Sequence, residues 1–208
     1  MTWKINVNLE YGRLGPDEVP LLPSVTIPCG TPRIMHRRAA HAVEHHLDVG
    51  VLISSPDPSG LPQTADDLRD DVLYQVGALD AFVLAEGGAL RHVKPQGALY
   101  ALCGRDEEYA RALLEAVAKY DDELIVIVGP GWPQRIAGEY GLTVISEASI
   151  GERADVVSRA LALARAEDGD VTLCLPAGLP DLVGIVHRLR ERLAEEDVEI
   201  VGLAQALT

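Results

Sequence analysis

Aromatic residues are scarce in this chain, with one Phe, two Trp and six Tyr among 208 residues. A core must therefore be packed from Ala, Val and Leu, which suits helices laid on strands. Basic residues are also few, 18 against 32 acidic ones, and they form no run. A net charge of −14 excludes a phosphate-binding stripe for nucleic acid and an electrostatic hold on an anionic membrane surface. No stretch approaches the ~18 consecutive apolar residues of a membrane span, and the opening MTWKINVNLEYG does not read as a leader. The three cysteines, Cys29, Cys103 and Cys174, are too few and too widely spaced for a disulfide framework or a zinc site. A reducing, cytoplasmic setting is expected.

What is present is ample apolar material, 48% of residues, arranged as short runs between longer helical patterns. Strands are expected at residues 5–9, 51–54, 89–94, 124–128, 142–145, 171–175 and 199–203. Helices are expected at 34–48, 64–86, 106–120, 134–140, 154–167 and 180–195. The helix at 64–86 opens on Thr64 followed by acidic residues and closes on Gly87-Gly88, start and stop signals with clear mechanisms. Strands nearly continuous in apolar residues, alternating with helices, point to an α/β protein with a parallel sheet covered on both faces. Seven or eight such units without a glycine-rich phosphate loop favour a closed or nearly closed (β/α) barrel in one domain, residues 1–208. An open sheet is the alternative.

In either architecture the site lies at the carboxyl ends of the strands. That directs attention to Asn6, Asn8 and Glu10, to 29–33, to 54–57, to Lys94 through Tyr100, to 129–132 and to 175–178. Lys94 is the leading candidate. A lysine at an apolar strand tip can bind a carboxylate or phosphate, or act as a base; alternatively it pairs with an acid to hold the turn. Glu10 could be that partner or an acid–base group in its own right. Asn6 and Asn8 could hold a ligand amide or cap strand ends, and Asp57 could line the pocket or simply make a turn. Gln96 and Tyr100 complete the candidate binding set. Cys29 reads as a small buried group rather than a nucleophile. His41 and His45 sit at a metal-capable spacing, but no acidic third ligand accompanies them and a solvated helix face is the simpler reading; no metal is expected. His92 reads as packed.

The stretch LYQVGALDAFVLAEGGALRHVKPQGALYALCGRDEEYARALLEAV, residues 73–117, resembles the LamB/YcsF family. The matching features are Tyr74-Gln75, Gly77-Ala78-Leu79, and Lys94-Pro95 followed by Gly97-Ala98-Leu99-Tyr100, which is similar to that family's KPHGALY. Collinear likenesses run through Asn6 to Gly12, Ile27 to Gly30 and VTLCLPAG at 171–178. The family includes the A component of the ATP-dependent 5-oxoprolinase. The resemblance implies a barrel similar to that of polysaccharide deacetylases. It also implies a role in opening a small lactam alongside B and C components that use the ATP, with no cofactor bound by this chain; a homo-oligomer is a further expectation. The chain departs from the pattern at the pocket. The family's strand-one acids become Asn6, Glu10 and Arg13. Its histidine after Cys-Gly falls in Thr31-Pro32-Arg33, and its KPHG and late-strand histidines become Gln96 and Pro176. Glutamine can orient an amide but cannot titrate. The chain is also shorter, with the loss expected between 145 and 171. Three functions follow: an A-type component with altered chemistry, a non-catalytic scaffold binding a partner or small ligand, or a metal-independent enzyme repurposed around Lys94 and Glu10.

Overall fold

The structure is a computed structural model that describes residues 3–11, 22–57, 59–149, 155–165, 171–176 and 179–207. The elements follow in the order β1 (Trp3–Glu10), β2 (Ser24–Pro28), α1 (Pro32–Glu44), β3 (Asp48–Ile53), α2 (Ala65–Ala85), β4 (Leu90–Pro95), α3 (Gly97–Arg105) and α4 (Glu107–Tyr120). Then come β5 (Ile125–Val128), α5 (Trp132–Ile136) with a 3-10 turn at Ala137–Glu139, β6 (Val144–Ser149), α6 (Val156–Arg165), β7 (Val171–Leu175), α7 (Leu182–Glu195), β8 (Val198–Val201) and α8 (Leu203–Ala206).

All strand pairings are parallel, and β1 through β7 pair in sequence until β7 returns to β1, closing a seven-stranded barrel. The eighth strand has an unusual seat. Trp3 to Asn6 of β1 pair with β8, whereas Asn8 to Glu10 pair with β2. Because β7 holds the other edge over Asn6 to Leu9, β8 and β2 share one edge of β1, one after the other. The expected (β/α) barrel is thus observed, closed by seven strands with the eighth inserted at its amino end. Closure leaves no exposed sheet edge around most of the ring.

The alternation of side chains along each strand divides the molecule into two cores. The outward faces pack against the helices in one continuous cluster that includes Val7, Val51, Val93, Val126 and Leu173 with Leu79, Leu113 and Val186. The inward faces split by polarity. Ile125, Ile127 and Ile145, with Leu203 of α8, form a separate apolar cluster. Elsewhere the buried interior is largely polar, with Asn6, Asn8, Ser24, Thr26, His92, Lys94 and Thr172 beside Leu52 and Cys174. α8 is held at its start by Asp48, whose carboxylate accepts the Leu203 N–H at 2.6 Å.

Local chemistry sets the element ends. Thr64 and Asp67 form the reciprocal capping box at the start of α2, with the Asp67 N–H bonded to Thr64 Oγ1 at 3.1 Å and the Thr64 N–H to Asp67 Oδ2 at 2.9 Å. The expected helix at 34–48 stops at Glu44, since His46 takes a positive φ of 56° and the chain turns into β3 at Asp48. β2 goes unmarked in the hydropathy pattern because it is only five residues long and bracketed by Pro23 and Pro28. Gly50 faces the interior, where a Cβ would lie 2.1 Å from the His92 imidazole, so that ring occupies the space a larger residue would fill.

Candidate functional site

Lys94 is the last inward-facing residue of β4 before Pro95, and its side chain is 4% exposed. β4 is flanked by β3 and β5, yet the Lys94 ammonium reaches groups on β1, β6 and β7, so its contacts cross the barrel interior. It donates to Glu10 Oε1 at 2.8 Å and to Cys174 Sγ at 2.9 Å. Glu147 Oε2 also lies 2.8 Å from Nζ. That oxygen is buried and accepts no properly directed hydrogen bond, so the contact with Lys94 is electrostatic. Each acid arrives by strand periodicity: Glu10 follows Asn6 and Asn8 at spacing two, and Glu147 follows Ile145.

Burial by itself would lower the Lys94 pKa, but Cys174, Glu147 and Glu10 around the ammonium outweigh it and hold it above the ordinary lysine value. Burial pushes the Cys174 thiol up to about 12 in spite of Lys94 beside it. The thiol is therefore neutral, and the charge that keeps Lys94 protonated is that of the two carboxylates. Tyr100, on the first turn of α3, is half-buried beside the same groups; burial and then Glu147 raise its phenol above the usual range. Its ring lies against Gly129, where a Cβ would come within 2.9 Å of Cε1.

The sequence candidates divide by location. The structure brings Glu10, Lys94 and Tyr100 together. Gln96 sits half-buried at the start of α3, its backbone N–H bonded to Ile53 O at 3.0 Å and its side chain making no capping bond. Asn6 and Asn8 lie deeper. The Asn6 amide donates to Val201 O at 3.0 Å and accepts from Thr172; the Asn8 amide donates to Thr26 Oγ1 at 2.6 Å and accepts from Ser24 at 3.2 Å. Both are buried, engaged between strands. Thr26 continues this chain to His92 Nε2 at 3.1 Å. Burial, reinforced by Lys94, pushes His92 down to about 3, so it is packed and neutral. Asp57 accepts the Ser59 N–H at 2.8 Å and lies within reach of Gln63 Nε2 at 3.4 Å; the Ser59 hydroxyl, then its N–H, then Gln63 hold the carboxyl below the usual range and fix its loop. It lines a cavity of about 420 Å³ with Ser55, Pro56, Asp67, Asp70 and Asp71. Cys29 is half-buried, 3.4 Å from Met35 Sδ. Gly178 and Arg13 lie outside the described residues.

Three functional groups escape a reading of the sequence. Glu147 is the one charged residue of the strand VISEAS, a signal lost by ending that strand at 145. Cys174 alternates into the barrel from VTLCL and is indistinguishable from core by pattern alone. Gln75 clamps the tip of β3, accepting the Ser54 N–H at 3.0 Å and donating to Ser54 O at 2.7 Å. Among the described residues, no group of three or more His, Cys, Asp or Glu converges as a metal site, and no helix is long and apolar enough to cross a membrane. The arrangement offers one fixed cation, two carboxylates, a phenol and a neutral thiol at one end of the barrel. Such a set can stabilise a developing oxyanion and move protons.

A sequence profile described as the LamB/YcsF family matches residues 13–171. A protein from Thermococcus sibiricus, named as the A component of 5-oxoprolinase, is 31% identical over 98% of this chain and 99% of its own. That alignment spans 255 positions, so the relative carries residues with no counterpart among the 208 here. The crystal structure of a lactam utilization protein from Thermus thermophilus superposes with a TM-score of 0.80 and 29% identity, covering 95% of this chain and 98% of that one. A T48 deacetylase with substrate shares the fold at a TM-score of 0.54 and 14% identity, over 99% of this chain and 90% of its own.

Proposed function

Because this chain belongs to the LamB/YcsF family, we propose that it is the A-type component of a cyclic-amide hydrolase that works with B- and C-type partners. In this reading the partners use the ATP and this chain supplies the pocket in the cytoplasm, binding no cofactor of its own. The observation that carries it is the Lys94 ammonium held between Glu10 and Glu147 where β4 ends. Opening a lactam adds water across the ring C–N bond. The water oxygen bonds to the carbonyl carbon, a proton leaves it, and the departing ring nitrogen takes one up. A carboxylate at the mouth can accept the first proton, and Lys94 is placed to steady the negative charge that builds on the carbonyl oxygen. Tyr100, held as a phenol, is a donor to the same region. Gln96 can orient the amide.

The test is ATP-dependent ring opening by this chain mixed with B- and C-type partners, read as amino acid released from a small lactam. Release that Lys94→Met abolishes supports the reading. A folded chain that binds the partners without release supports a second reading, a non-catalytic scaffold. That reading is favoured by the non-titrating Gln96 at the strand tip and by the burial of His92 away from solvent. Turnover of an unrelated substrate without partners would favour a metal-independent enzyme built on Lys94 and Glu10.

A further inference from the structure

Tyr74 and Gln75 are neighbours on α2 with opposite fates. Gln75 turns inward and clamps Ser54 at the tip of β3. Tyr74 turns outward and is 70% exposed, and neither its ring nor its hydroxyl has a partner among the described residues. Tyr120, the other exposed tyrosine, gives its hydroxyl to Asp80 at 2.5 Å. A large aromatic left in water with nothing to hold it marks a contact surface. The Tyr74 ring walls a cavity of about 280 Å³ with Cys29, Gly30, Ser54, Pro56 and Asp71, at the carboxyl ends of β2 and β3. Pockets for free small molecules begin at roughly 300 Å³, so this notch suits one inserted side chain.

The charge around the notch has one sign. Pro56 and Asp71 also line the neighbouring cavity of about 420 Å³, together with Asp57, Asp67 and Asp70. Among the described residues no basic side chain lines either cavity, and no cation pairs with any of these four acids. Arg69 is the nearest in sequence, but its guanidinium goes to Asp66 and Glu115. Desolvation, then Asp67 and Asp70, hold the Asp71 carboxyl above its usual range, a cost that an incoming cation relieves. Asp71 and Tyr74 stand at i and i+3, neighbours on one helix face. A carboxylate beside an exposed phenol ring is a receptor for a guanidinium. The planar fork lies on the ring face while its N–H groups meet the carboxylate. Lysine offers the charge without the plane. The acids beyond Asp71 extend the attraction over further basic residues, which a protein segment supplies and one small cation does not.

Resting on the assembly with B- and C-type partners, we infer that the barrel rim beside β2 and β3 is the face on which a partner docks, with an arginine of that partner seated between Tyr74 and Asp71. The notch is at the same end of the barrel as Lys94. Docking there sets the ATP-using partner beside the pocket it serves.

The test is the affinity of the full chain for the B- and C-type partners, measured by calorimetry in the parent and in variants whose folding is checked by circular dichroism. Tyr74→Ala should weaken binding at least about tenfold. Tyr74→Phe keeps the ring and should stay within about threefold of the parent. Asp71→Asn should weaken binding about fivefold or more and make it less sensitive to salt. Val183→Ser, at an exposed apolar position on α7, is the control and should bind as the parent does. Unchanged binding by Tyr74→Ala overturns the inference and leaves the assembly reading standing. Loss with Tyr74→Ala but none with Asp71→Asn overturns the arginine and makes the contact apolar. A folded parent that binds neither partner overturns both readings.

Discussion

Replacing Lys94 by Met removes the only cation among the described residues that touches Glu10 and Glu147, while keeping most of the side-chain volume. Two carboxylates are then left facing one another across the barrel interior, one of them 11% exposed. Breaking a buried ion pair from one side costs about 3–5 kcal/mol, because the partner charge is stranded rather than because the pair itself was strong. For a domain of this length each kcal/mol moves Tm by about 2–4 °C, so Lys94→Met should melt roughly 6–20 °C below the parent. The same argument requires relief when the stranded charge is removed. Lys94→Met with Glu147→Gln should be more stable than Lys94→Met alone, with a coupling of about 1–3 kcal/mol in a double-mutant cycle by urea denaturation. The pH sense is fixed as well. The ammonium is held above the ordinary lysine value, so its contribution is fully present below that value and is lost only as pH rises through the higher folded one. Lys94→Met should therefore stay destabilised across the neutral range. A cycle with no coupling, or a Lys94→Met protein as stable as the parent, would refute the claim that the cluster is a buried, mutually dependent set.

Gly50→Ala would drive a methyl to 2.1 Å from the His92 ring and should cost about 1–3 kcal/mol by overpacking, much of it recovered in a Gly50→Ala, His92→Ala double variant measured by the same denaturation. His92 is held neutral down to about 3 against an ordinary 6.5. The unfolded chain thus binds a proton that the folded one refuses, and folding stability should fall as pH drops from 6.5 toward 3, by up to about 1.4 kcal/mol per unit; His92→Gln should flatten that part of a stability-versus-pH curve. Gln75→Ala strands the Ser54 backbone groups and should cost about 1–3 kcal/mol, visible as faster amide exchange at the tip of β3. Thr64→Ala should lower stability by about 1 kcal/mol through loss of the α2 cap, with circular dichroism at equilibrium as the readout.

The barrel is legible in the sequence because its outward-facing strand residues and its helices obey simple periods. The run at 124–128 and the capped helix at 64–86 carry their assignments without help from tertiary context. What escapes are elements whose pattern is short or whose character is set by the interior. β2 has five residues, bracketed by prolines. β6 reads as ending where its inward residues turn from Ile145 to Glu147. Lys94 and Glu10 can be named because a polar residue at an apolar strand tip is conspicuous, and Tyr100 because it lies in the stretch that leads from that tip into α3. The pairing of Lys94 with Glu147 and Cys174 is not legible, since it depends on how far the ring of strands turns between β4 and β7, and no local pattern encodes that. Asn6 and Asn8 illustrate the converse. Polar residues at spacing two on a strand look like a pocket wall, yet here they are bonded to Val201, Thr172, Thr26 and Ser24 between strands.

The way β1 is shared between β2 and β8 has a kinetic consequence. Asn8 to Glu10 can find Ser24 to Thr26 almost at once, but Asn6 to Leu9 must wait for Thr172 to Leu175, and Trp3 to Asn6 for Val198 to Val201. During synthesis the amino-terminal half of β1 therefore has none of its partners until nearly the whole chain has emerged. Pairings of such long sequence separation are slow to form, and a waiting apolar strand invites association with other chains. Ring closure is then expected to be the late, rate-limiting event. Substitutions at the β1–β8 seam should act mainly on how fast the chain reaches its folded state, and on how much is lost to aggregation along the way.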